Sequence, residues 1–164
     1  MVIEYSLLKV LHLGALIFWL GPALGAWLVL KMVEGGHQNF HNETAARVSR
    51  AFYLMITLEH LAFIALLASG ATLAYRYNLW ASPWLEQKLF IVGLIVIPLE
   101  IIDVILGNWL CARAERRLYQ GREVLPRQRA WLKVYHGVFT RAAIVIIPTS
   151  VLAIMWLAVS KSPW

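Results

Sequence analysis

Residues Leu85–Ala112 read LEQKLFIVGLIVIPLEIIDVILGNWLCA. This apolar run exceeds the roughly 20 residues that carry a helix across the hydrocarbon of a bilayer. A membrane strand would instead alternate polar and apolar residues over about ten positions, and this run does not. Three more runs of the same kind, at about 5–32, 51–75 and 130–159, complete the set. The expected fold is therefore all-α, an integral membrane four-helix bundle that forms a single transmembrane domain over residues 1–164. Bulk composition agrees. The chain is 60% hydrophobic and 15% charged, against roughly 45–50% and about 25% in soluble domains. A soluble domain of this length could not bury so much apolar surface. A disordered chain and a conventional cytosolic enzyme are excluded, and a lone cysteine, Cys111, rules out an internal disulfide scaffold.

Working outward, the ends of the runs carry helix punctuation. Gly35-Gly36 stops the first, Asn42 is placed to cap the second, and Ser82-Pro83 opens the third. Gly121 and Pro126 bracket the connection to the fourth, and Pro22, Pro98 and Pro148 are expected to kink their helices. The amphipathic stretch 43–50 is expected to stand out of the bilayer. Glu4 and the absence of a basic leader make the first run a retained helix rather than a signal peptide.

Ten of the Lys and Arg residues (31, 47, 50, 113, 116, 117, 122, 127, 129 and 133) fall at one end of the bundle. Only Lys9, Arg76, Lys88 and Lys161 fall at the other. That asymmetry predicts a bacterial inner (cytoplasmic) membrane protein, multi-pass, with both termini on the non-cytoplasmic side. Trp80, Trp84 and Trp164 suit the outer interface and Trp131 the inner one. The charge of +6 then needs no nucleic acid, and the basic connection after the third helix is expected against anionic headgroups.

Ionisable residues inside the runs are costly and each needs a reason. At about 1.5 Å per residue, His60, Asp103 and Arg141 come to one height near the bilayer centre, with Glu59 and Glu100 within a turn. His12 lies roughly 10 Å to one side and His136 roughly 8 Å to the other. Glu100 and Asp103, three apart, share a helical face, and Arg141 is a natural ion-pair partner for one of them. A single membrane histidine is commonly a packing residue. Three on three helices suggest ligation: haem b held by His60 paired with either His12 or His136, or copper, zinc or iron bound directly by His12, His60 and His136. A di-metal carboxylate site is matched only partly, because the Glu-x-x-His signature is missing. Glu100 and Asp103 are candidate proton relays. Arg141, Lys88 and Lys9 are candidate partners for haem propionates, and Trp19 and Trp109 are candidate walls of a porphyrin or quinone pocket. His37 and His41 read as solvated loop residues.

The first helix, Leu8-Lys9-Val10-Leu11-His12 followed by Trp19, Gly21 and Gly25, resembles the opening helix of HemJ, the bacterial membrane protoporphyrinogen oxidase, whose histidine there is essential. Trp84-Leu85-Glu86-Gln87-Lys88-Leu89 looks like the HemJ segment that carries its essential lysine. Related four-helix bacterial membrane proteins share the closing pattern found here at 156–161, and CopD-like copper-resistance proteins have a similar first helix. The chain departs from HemJ in lacking Tyr-His at the end of its third helix and Asn-Glu-x-Pro in its fourth. The resemblance implies a haem b redox protein that oxidises protoporphyrinogen or relays electrons with quinone, with His12 and Lys88 as the transferable catalytic and cofactor residues. His60 and His136 rest on depth alone. The alternatives are a metal-binding membrane protein and a cofactor-free structural subunit, either as a homo-oligomer or beside a partner membrane subunit.

Overall fold

The computed structural model describes residues 2–36 and 43–161. It is all-helical. Helices α1 (Val2–Leu20) and α2 (Pro22–Gly36) form one bent rod, followed by α3 (Glu43–Arg76). After a short 3₁₀ turn at Leu79–Ala81 come two further rods, α4 (Pro83–Tyr119) and α5 (Pro126–Ser160). The bent rod, α3, α4 and α5 are four helices long and apolar enough to cross a membrane. The expected caps at Asn42 and the expected loop histidines His37 and His41 lie outside the described residues, as does Trp164.

Local chemistry explains the breaks. The α1–α2 bend falls at Gly21, whose N–H still reaches Ile17 O at 2.9 Å, and Pro22 starts the next helix where its missing N–H costs nothing. α4 ends on Gly121 at φ 66°, with Arg122 N–H closing back on Arg117 O at 3.0 Å, the arrangement that favours glycine after a helix. Ser82 takes the expected extended conformation before Pro83, but its side chain makes no capping bond.

α4 and α5 are not uniformly α-helical. Val92–Val96, Val104–Cys111 and Val134–Phe139 widen to π-helix. The first lies just before Pro98, which cannot donate to the carbonyl four residues back, and Ile97 N–H bonds to Val92 O instead. In the third, Thr140 N–H bonds to Tyr135 O and the Thr140 hydroxyl donates to the same oxygen at 2.7 Å. π turns of this kind frequently sit at functional sites.

Much of the outward surface is apolar: Ile17, Phe18, Ile64, Leu94, Val145 and Leu152 are all exposed. Such extended apolar surface fits contact with lipid. Inside are two apolar clusters. One joins Trp19, Phe63, Leu66, Val96 and Val151. The other joins Leu30, Phe52, Ile56, Cys111 and Tyr135 near the basic end. Between them lies a polar layer.

The helices run further than the apolar pattern predicts. α3 begins at Glu43, so that it includes the amphipathic stretch 43–50 expected ahead of the apolar run at about 51, and α4 continues to Tyr119 rather than about 112. These additions are the polar ends: Glu43–Arg47 forms an exposed i,i+4 pair, and Arg116 and Arg117 occupy the last turn of α4. Helix propensity continues past the point at which hydrophobicity stops.

Candidate functional site

The polar side chains occupy three levels, ordered along α3. At the level of Leu66–Gly70, His12 Nδ1 lies 3.1 Å from Leu66 O and 3.1 Å from Ser69 Oγ. Leu66 O can only accept, so the proton belongs on Nδ1, and Ser69 Oγ, itself donating to Leu66 O, accepts a share of it. Nε2 is thereby left with its lone pair. This is how a ligating histidine is oriented from behind. The ring lies over Gly70, where a Cβ would come within 3.0 Å of His12 Cε1. His12 lines a largely apolar cavity of about 400 Å³ between α1, α3, α4 and α5, with Trp19, Phe63, Gly93 and Lys88 also on its walls. Lys88 makes no ion pair among the described residues. The two residues that carry the HemJ resemblance in different helices therefore share one cavity.

The middle level is carboxylate-rich. Trp19 Nε1 donates to Glu100 Oε1 at 2.9 Å. His60 Nε2 lies 3.7 Å from Glu100 Oε2 and 3.4 Å from Asp103 Oδ2. These are ion-pair distances rather than good hydrogen bonds. The Tyr135 hydroxyl also interacts with Asp103. Glu59, Glu100 and Asp103 line a second cavity of about 170 Å³. The sequence correctly placed these groups at one height.

Arg141 does not join them. It is exposed and forms no ion pair among the described residues. Height alone was the basis for pairing it with Asp103. Arg141 is on an exposed face of α5 whereas His136 is buried. His60 takes the place beside Asp103 instead.

At the third level, towards the basic end, His136 is found on the expected side of His60, but its partner Glu115 is not among the residues the sequence singles out. Glu115 is 3% exposed and accepts from His136 Nε2 at 2.6 Å, from Tyr53 OH at 3.0 Å and, through its other oxygen, from Ser49 Oγ. Phe52 and Tyr135 pack on the His136 ring. Glu115 sits in the charged string Arg113-Ala114-Glu115-Arg116-Arg117, which reads as solvated. The available signal is that Cys111, Ala114 and Leu118 mark a small, apolar stripe beside Glu115 on the same helix.

His12, His60 and His136 therefore do not converge. On α3 they face residues near 69, 60 and 53, steps of roughly 10–14 Å. Among the described residues no group of three or more His, Cys, Asp and Glu has the geometry of a metal site. Of the three histidines only His12 lines any of the cavities described here. His136 is committed to Glu115 through Nε2. Trp109 is exposed on the outside of α4, and Lys9 is exposed with its ammonium over the Tyr5 ring. Trp19, by contrast, does wall the His12 cavity. Comparison with protein-family models, with curated proteins and with solved structures gives no match.

Proposed function

We propose that the chain is a multi-pass membrane protein that binds haem b in the His12–Lys88 cavity, where His12 Nε2 would hold the iron. One observation carries this reading. A histidine whose tautomer is fixed by Leu66 O and Ser69 faces a cavity shared with a lysine that has no ion-pair partner among the described residues. The donor set suits the group: an imidazole lone pair for iron, apolar and aromatic walls for a macrocycle, and an ammonium for a propionate. The cavity volume lies within the roughly 300–1,000 Å³ typical of ligand pockets. Haem bound there would supply one-electron chemistry within the bilayer.

The chain's own residues do the rest. Gly70 leaves room for the His12 ring, Ser69 and Leu66 O fix its orientation, and Lys88 attracts an anionic edge of the ligand. The HemJ resemblance makes oxidation of a porphyrinogen, with electrons passed to a quinone or another carrier, the reaction we propose. Glu100 and Asp103 lie deeper, separated from the cavity by Trp19 and Phe63, and are proposed as proton carriers beside it. The basic end is proposed to face the cytoplasm of a bacterium, with both termini outside it.

Protein extracted in mild detergent should show a Soret band in the region of about 410–430 nm. His12→Ala should abolish it, while His136→Gln should retain it. Complementation of a strain lacking protoporphyrinogen oxidase tests the reaction separately, and failure despite membrane expression removes the porphyrinogen part.

A further inference from the structure

A third cavity, of about 500 Å³, opens between α3 and α4 at the basic end. Arg50 lines it from α3, and Arg113 and Arg116 line it from α4, together with Asn108, Tyr53 and Tyr119. Among the described residues none of the three guanidinium groups has a carboxylate partner. Arg50 donates only to Ala46 O in its own helix, at 3.2 Å. Among the described residues no carboxylate lines this cavity, and Glu115, next to Arg116 in the chain, already accepts from Ser49, Tyr53 and His136. Arg50, Arg113 and Arg116 are exposed on the walls of one cavity, and each guanidinium can present paired N–H groups to the oxygens of a tetrahedral oxyanion.

We infer that this cavity binds a phosphate group. Its surroundings favour the headgroup of an anionic phospholipid as the source. It straddles the points where the apolar stretches of α3 and α4 give way to their polar ends, with Tyr53 and Asn108 on the apolar side and Arg50, Arg113 and Arg116 on the polar side, the depth of headgroups. Further along the same two helices Leu54, Leu58 and Leu61 on α3 and Ile101 and Ile105 on α4 are exposed, apolar surface that suits acyl chains. Diffuse attraction of basic loops to a membrane surface needs no cavity; here the charges are concentrated in one.

The test measures binding by native mass spectrometry of delipidated, detergent-solubilised full chain. The probes are phosphatidylglycerol, diacylglycerol of the same chain length, and inorganic phosphate. Phosphatidylglycerol should be retained at least tenfold over diacylglycerol. Arg113→Gln/Arg116→Gln should weaken it by roughly tenfold or more, at about fivefold per arginine near a membrane surface. Arg122→Gln/Arg129→Gln removes the same charge outside the cavity and should leave binding unchanged. If the double variant does not fold, Arg50→Gln tests the opposite wall. Inorganic phosphate bound with the same arginine dependence would make a soluble anion the source; lipid bound alone would make it a headgroup. Equal losses in both double variants, or no loss in either, would overturn the site.

Discussion

Gly107→Ala tests how α4 and α5 are held together. A Cβ at Gly107 would lie 2.6 Å from the Tyr135 hydroxyl, 2.8 Å from Cζ and 3.1 Å from Cε2. Tyr135 is 2% exposed, so its ring can yield only toward the cavity of about 170 Å³ that it lines. Overpacking of a closed site costs about 1–3 kcal/mol. Displacing the hydroxyl from Asp103 adds about 0.5–1.5 kcal/mol. Alanine returns up to about 1 kcal/mol of helix propensity. The net destabilisation is then about 1–3 kcal/mol. For a chain of this size that lowers the unfolding midpoint by on the order of 5 °C. Tryptophan fluorescence during thermal unfolding in detergent would measure it. Gly14→Ala, where a Cβ meets nothing within 4 Å, is the control and should be neutral or mildly stabilising. In a Tyr135→Ala background the penalty at Gly107 should vanish, giving a double-mutant coupling of similar size. A Gly107→Ala protein as stable as Gly14→Ala would refute the packing described here.

Four further outcomes are expected. Trp19→Phe removes the donor to buried Glu100 and should cost about 1–3 kcal/mol of stability, read in the same melt. His136→Ala strips buried Glu115 of one of its three partners and should cost about 3–5 kcal/mol, seen as loss of folded protein in size-exclusion chromatography, with His136→Gln recovering part of it. Arg141→Gln should change the midpoint by no more than the equivalent of about 0.5 kcal/mol, because Arg141 is exposed and unpaired among the described residues. Gly70→Ala should push the His12 ring off its two acceptors and reduce haem retention about two- to tenfold, matching the loss of one ordinary hydrogen bond.

Four helices were legible because hydrophobic run length is a strong, local signal. Heights were legible too, since a rise of about 1.5 Å per residue applies along any helix. Thus Glu59, His60, Glu100 and Asp103 were gathered correctly. Direction around the axis was not legible. Arg141 has the right height and the wrong face, and three π segments shift the register of α4 and α5 in ways that only Pro98 announces. His12 and Lys88 were each singled out by resemblance to a family, but that they line one cavity comes from packing alone, with no periodicity linking residues on α1 and α4. The Glu115–His136–Tyr53–Ser49 network was hidden because a buried acid within a basic string looks like any solvated charge. Its partners come from α3 and α5, and only packing brings them to it.

Haem in the His12 cavity is tested most directly by the visible absorption spectrum of the purified wild type beside His12→Ala and Lys88→Ala, with porphyrin and iron contents measured on the same samples. The expected result is iron and porphyrin in equal amounts in the wild type with a Soret band, loss of both in His12→Ala, and weakened retention in Lys88→Ala. A folded, membrane-extracted wild type with neither iron nor porphyrin, or a His12→Ala protein with an unchanged spectrum, would contradict it.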